Sequence, residues 1–115
     1  MNTSEKLTHY NIMGMGTSIV GNVTCQGNLR VDGNINGKID VAGKFVVGKE
    51  AVITGDVNCN SAEIEGKIEG DVSAKELVSL KANASMKGDI TTNKIAIENG
   101  VVFIGHCKMQ EQQQS

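Results

Sequence analysis

The sequence predicts an all-β chain, a single parallel β-helix (β-solenoid) of about six coils with short flexible tails. Three observations lead there: a period-two alternation, a repeat near seventeen residues, and a thin aliphatic composition. From Ile19 to Val47 every odd position is apolar or glycine, and the even positions between are mostly polar, as at Asn22, Gln26, Arg30, Asp32 and Asp40. Period two is the signature of a strand with one buried face. At ~3.3 Å per residue, one straight strand of this length would span roughly 95 Å. A domain of about 100 residues has a radius of gyration near ~13 Å. The chain must turn often without losing its parity. Two-residue hairpins flip the inward parity, whereas a coil that winds onward keeps it.

The coils can be taken in order. A Gly-x-(Val/Ile) unit recurs at Gly21, Gly37, Gly55, Gly70 and Gly88, with a degenerate copy at Gly105-His106-Cys107, at successive intervals of 16, 18, 15, 18 and 17 residues. Such a repeat implies a quasi-one-dimensional stack, each unit stable only against its neighbours. The glycine is expected at an inward corner, where no Cβ crowds the narrow interior and positive φ is allowed. The parity becomes even from Ala62 through Ile64, Val72, Leu80, Ala82 and Ile90, and returns to odd at Ile95. The slips fall at Asn60-Ser61 and Thr91-Thr92-Asn93, polar sites suited to loops or bulges. Lys49 and Glu76 break the pattern and should sit at outward corners. The predicted core comprises Ile35, Ile39, Phe45, Val57, Ile68, Val72, Leu80, Ile90 and Ile97. Residues 1–13 read as an N-terminal tail, 14–109 as the β-helix domain and 110–115 as a C-terminal tail.

Composition bounds the function. The chain has 115 residues, 14 glycines, no proline, 3% aromatics and a net charge of -2 with interspersed signs. Collagen-like and polyproline readings fail, and no basic, aromatic-rich face suits nucleic acid. No apolar run approaches the ~20 residues of a transmembrane helix. The segment Met1 to Leu7 lacks a signal-peptide core, so a cytoplasmic location is expected, and the sequons at Asn2, Asn22 and Asn83 are incidental. Cys25, Cys59 and Cys107 all fall at inward positions and read as small hydrophobes. They lack the clustered spacing of a metal site. No cofactor and no metal are expected. The two histidines, His9 and His106, do not converge with other groups, and the carboxylates Asp56, Glu63 and Glu65 read as a solvated face. The glycines form neither GxGxxG nor GxxxxGK(S/T), so no nucleotide site is expected. The enzymatic alternative is a left-handed hexapeptide acyltransferase, because Gly21, Gly27 and Gly33 are spaced by six. That register is then lost. A second alternative is a β-solenoid that does not polymerise and binds a partner on its flat outer sheets.

The coils from about Gly14 to Met109 resemble the bactofilin domain. The most specific stretch is Ile97-Glu98-Asn99-Gly100-Val101-Val102-Phe103-Ile104-Gly105-His106-Cys107-Lys108-Met109, which is similar to that family's closing segment. The resemblance implies a right-handed, roughly triangular β-helix that polymerises end to end without nucleotide. It also implies a scaffold for cell shape or cell-wall machinery, with cell-wall enzymes or membrane proteins as further partners at the inner face of the membrane. Many members carry a hydrophobic, membrane-binding N-terminus. This one is polar, with Ile12, Met13 and Met15 as its apolar residues, so core capping is expected there rather than direct membrane binding.

A coil stack has two ends with unpaired backbone groups, a template for another chain. Self-assembly is therefore assigned to Val101, Phe103, Cys107 and Met109 at one end and Ile19 and Val23 at the other.

Overall fold

A computed structural model describes residues 10–109; positions 1–9 of the N-terminal tail expected at 1–13, His9 among them, and the C-terminal tail expected at 110–115 lie outside the described residues. Every strand pairing is parallel, as a coil that winds in one direction requires. The alternation of the sequence becomes three faces, each built of strands stacked at about 4.8 Å. The first face stacks β2 (Ser18–Val20), β5 (Asn34–Asn36), β8 (Val52–Thr54), β10 (Lys67–Glu69), β12 (Ser85–Lys87) and β15 (Val102–Ile104). The second begins with β3 (Val23–Cys25) and β6 (Ile39–Val41) and ends with β13 (Ile90–Thr92) and β16 (Cys107–Met109). The third holds β1 (Tyr10–Met13), β4 (Asn28–Val31), β7 (Lys44–Val47) and β14 (Lys94–Ile97). Two long strands, β9 (Val57–Ile64) and β11 (Val72–Leu80), run through the corner and serve both the second and third faces. Among the described residues, Tyr10–Met13 already pair with Asn28–Val31.

The core is a set of side-chain columns running up the interior. One reads Ile19, Ile35, Ile53, Ile68, Met86, Phe103. The next reads Val23, Ile39, Val57, Val72, Ile90, Cys107. A third, Leu29, Phe45, Ala62, Val78, Ile95, sets its one large ring against a small alanine. Like-on-like stacking of β-branched residues suits the pleat and fills a narrow interior without aromatics. Of the predicted core, Ile35, Ile39, Phe45, Val57, Ile68, Val72, Leu80 and Ile90 are buried. Ile97 is a correction: it tops the column above Leu80 but is 51% exposed, because no coil lies over it among the described residues. Ala82 also departs from its parity, lying exposed in the turn after β11 while Ala84 is buried.

The uneven repeat has a simple geometry. The shortest route between the second and third faces leaves two residues between inward side chains, at Asn60-Ser61 and at Asn93-Lys94. Elsewhere three residues make that corner, as in Gln26-Gly27-Asn28, Ala42-Gly43-Lys44 and Lys75-Glu76-Leu77. Dropping one residue is what flips the parity, and the pairing of β9 with β11 shifts register at this point, between Ala74 and Leu77. At the corner from the third face back to the first, turns at Lys49-Glu50, Ala82-Asn83 and Asn99-Gly100 add two residues and leave parity unchanged. A sixteen-residue coil with these two adjustments reproduces the intervals 15, 17 and 18. Lys49 and Glu76 are exposed at their corners as expected. Thr92 differs: it is not in a loop but fully buried.

The recurrent glycine is also corrected in its reason. Gly37, Gly55, Gly70, Gly88 and Gly105 all have positive φ. A Cβ on Gly70 would lie 2.0 Å from the carbonyl oxygen of Gly55 in the coil below. The crowding comes from the neighbouring coil along the axis, not from the interior. The aspartate that follows takes up an amide of the next coil. Asp56 Oδ1 accepts from the Asp71 N–H at 3.1 Å, Asp71 from Asp89 at 3.0 Å, and Asp89 from His106 at 3.1 Å. These carboxylates are solvent-facing, yet they also tie successive coils together.

Candidate functional site: the two open ends

The stack begins and ends with partial coils. At the N-terminal end the outermost strands are β1, β2 and β3, one on each face; at the C-terminal end they are β14, β15 and β16. Each is paired on one side only among the described residues. The outer backbone groups of these six strands are therefore a row of unmet donors and acceptors.

Apolar side chains back both edges. At the C-terminal end Val101 and Phe103 are half-buried against the core, as is Ile95. Cys107 and Met109 are exposed. At the N-terminal end Ile19 and Val23 are half-buried against the core, with Cys25 beside them. The six residues assigned from sequence lie toward the two ends of the stack, four at the C-terminal end and two at the N-terminal end. Cys107 is inward by parity, but the coil that would cover it is absent among the described residues. The arm gives partial cover at the first end. Met13 is buried above Val31, and Asn11, in an otherwise apolar column, donates from Nδ2 to the Asn28 carbonyl oxygen at 3.3 Å. Sequence reasoning passed over Ile95 and Ile97 as end residues, and over Val20, Val102 and Ile104 because they fall at outward positions. Their occurrence in the first and last coils was the available signal.

No catalytic constellation forms among the described residues. His106 is exposed, with Nδ1 3.4 Å from Asp89 Oδ1. Among the described residues no group of three His, Cys, Asp or Glu side chains could hold a metal. Burial pushes the Cys59 thiol up to about 12, which leaves it protonated rather than nucleophilic. Arg30, half-buried on the outer side of β4, is raised by its hydrogen bonds to Asp32, at 2.9 and 3.0 Å. A shallow groove over the corner of the second and third faces is lined by Asp40, Asn58, Asn60 and Lys75, with Cys25 and Cys59 at its floor.

A narrow solenoid with a one-sided strand edge at each end of its described residues belongs to the class of folds that strand stacking can extend. Residues 11–108 match the bactofilin family, described as polymer-forming cytoskeletal, and the chain belongs to that family. It is 31% identical over 97 residues to bactofilin BacO of Myxococcus xanthus (strain DK1622), spanning 83% of this chain and 77% of that protein. It is 28% identical over 98 residues to BacP of the same organism, spanning 85% of this chain but 41% of that longer protein. Among solved structures, the bactofilin BacA determined by solid-state NMR matches with a TM-score of 0.80 at 29% identity, over 90% of this chain and 98% of that one. The Thermus thermophilus bactofilin of double helical filaments, determined by cryo-EM, shares the fold with a TM-score of 0.82 at 24% identity, over 87% of this chain and 99% of that one.

Proposed function

We propose that this chain is a nucleotide-independent cytoskeletal scaffold whose subunits join into filaments by stacking the open ends of their coils. The observation that carries this reading is the pair of one-sided strand edges, each backed by partly exposed core side chains. Adding a subunit pairs the free backbone groups and covers Phe103, Val101, Cys107 and Met109 at one end, and Ile19 and Val23 at the other. Both gains are present in the apo chain, so no nucleotide is needed to prepare the surface. Every coil of the interior shows the same contact, strand on strand and column on column, already made within the chain. The scaffold acts by position rather than catalysis. It works in the cytoplasm, where cell-wall enzymes or membrane proteins bind its sides and link it to the inner face of the membrane.

The test is Phe103→Arg. Phe103 tops the Ile19–Met86 column, and a guanidinium there would be left unpaired at the junction, a cost of about 3–5 kcal/mol. Loss of filaments with a retained strand signal in circular dichroism is expected. Filaments of the variant at wild-type concentration would remove Phe103 from the junction.

A further inference from the structure

Outward apolar residues are unevenly placed along the stack. In the interior coils they are less exposed: Val46, an outward residue flanked by Arg30 and Glu63, is 8% exposed, Leu77 is 36% and Val52 is 37%. Each of these has a paired strand on both sides, and a residue in register above and below removes part of its surface from water. In the end coils the same class of residue lies open. Val102 and Ile104, outward on β15, are 54% and 58% exposed, and Val20, outward on β2, is 86% exposed. Below Val102 and Ile104 stand Ser85 and Lys87; above them no strand pairs among the described residues.

We infer that the subunit junction extends beyond the coil interior onto the outer rim of the first face, where Val102 and Ile104 are buried by a second copy of this chain. The inference rests on the end-stacking reading and deepens it. Three features select a second copy as the occupant. The patch borders the same strand edge as the half-buried Phe103, which lies between the two rim residues in sequence and faces inward. That strand has a free edge, so whatever covers the rim must also supply backbone partners, which a strand offers and a lipid tail does not. The residues that follow β16 in this sequence, Gln110 to Ser115, are polar throughout.

The experiment is the double variant Val102→Thr/Ile104→Thr, assayed by sedimentation against protein concentration, with Val52→Thr as the control on the same face. Threonine keeps the β-branched shape and removes only apolar surface. The concentration needed for assembly should rise about tenfold or more in the double variant, and stay unchanged in the control. The far-UV strand signal should be retained in both, since the altered side chains are more than half exposed in the double variant. Assembly of the double variant at the wild-type concentration overturns the rim while leaving end stacking intact. Loss of the strand signal would also overturn it, placing the two residues in the folding core. So would normal assembly combined with lost binding to vesicles of phosphatidylglycerol and phosphatidylcholine, which would assign the rim to a lipid surface. A wild-type protein that never sediments would instead overturn end stacking itself.

Discussion

Cys25, Cys59 and Cys107 are three residues of one type at three depths, half-buried, buried and exposed, and depth decides their chemistry. The Cys59 thiol, pushed up to about 12 by desolvation, keeps its proton in the native state. An iodoacetamide time course at pH 8 should modify Cys107 in the monomer and spare Cys59. The same shift links to stability. The neutral thiol is favoured in the fold, so its contribution is full below the unfolded value near 9.0 and is lost as pH rises toward 12. Cys59→Ala should flatten the fall in melting temperature over that alkaline window. Thr92 is the opposite case. Its hydroxyl is fully buried and has no hydrogen-bond partner among the described residues. Thr92→Val, read by urea unfolding of the monomer, should stabilise by about 1–3 kcal/mol. Neither environment was legible in the sequence beyond parity. Parity says which way a side chain faces, whereas depth depends on how many coils stand on either side. Ile97 shows the difference, having the right parity and an open end above it.

At the scale of the element, the coil is set by its corners. The alternation gave the strands and the odd and even stretches, because a buried face imposes period two on any strand. It did not give the reason for the slips. That reason is the length of one corner, two residues or three, and corner length shows only when strands are laid in register. The glycine column was legible as a repeat, but its cause was misread, since the close approach is to the carbonyl of the coil beneath. Gly70→Ala therefore combines a positive φ of 146° with a Cβ 2.0 Å from the Gly55 oxygen. Strain alone should cost roughly 1–3 kcal/mol, measurable as a fall in the midpoint of denaturant unfolding. Asp71→Ala, which removes only one acceptor of the inter-coil ladder on an exposed corner, should cost less. The aspartates following these glycines looked like solvation alone because their partners are backbone amides about seventeen residues away in sequence.

At the scale of the whole molecule, a solenoid has no natural terminus. Each coil is completed by the next, and the last coil on either side is completed by nothing within the described chain. Val31, Ile53, Ile64 and Ile68 are fully buried because a coil lies on both sides, while Val101, Phe103 and Ile95 are left partly open. The sequence alone showed that ends must exist and which residues lie near them. It did not show that apolar character spills onto the outer rim at Val102 and Ile104, since an isolated outward valine or isoleucine is ordinary on any surface. The contact is apolar and backbone-mediated, so raising ionic strength to about 1 M, where the Debye length is ~3 Å, should leave assembly intact. Sedimentation across a salt series checks this.

The most direct test of end stacking is electron microscopy of the purified, nucleotide-free chain, with and without Phe103→Arg. Long thin filaments from the wild type, replaced by discrete particles of unchanged strand content in the variant, are the expected result. Discrete particles from the wild type at every concentration would contradict it, because open, apolar-backed edges would then persist unpaired in solution.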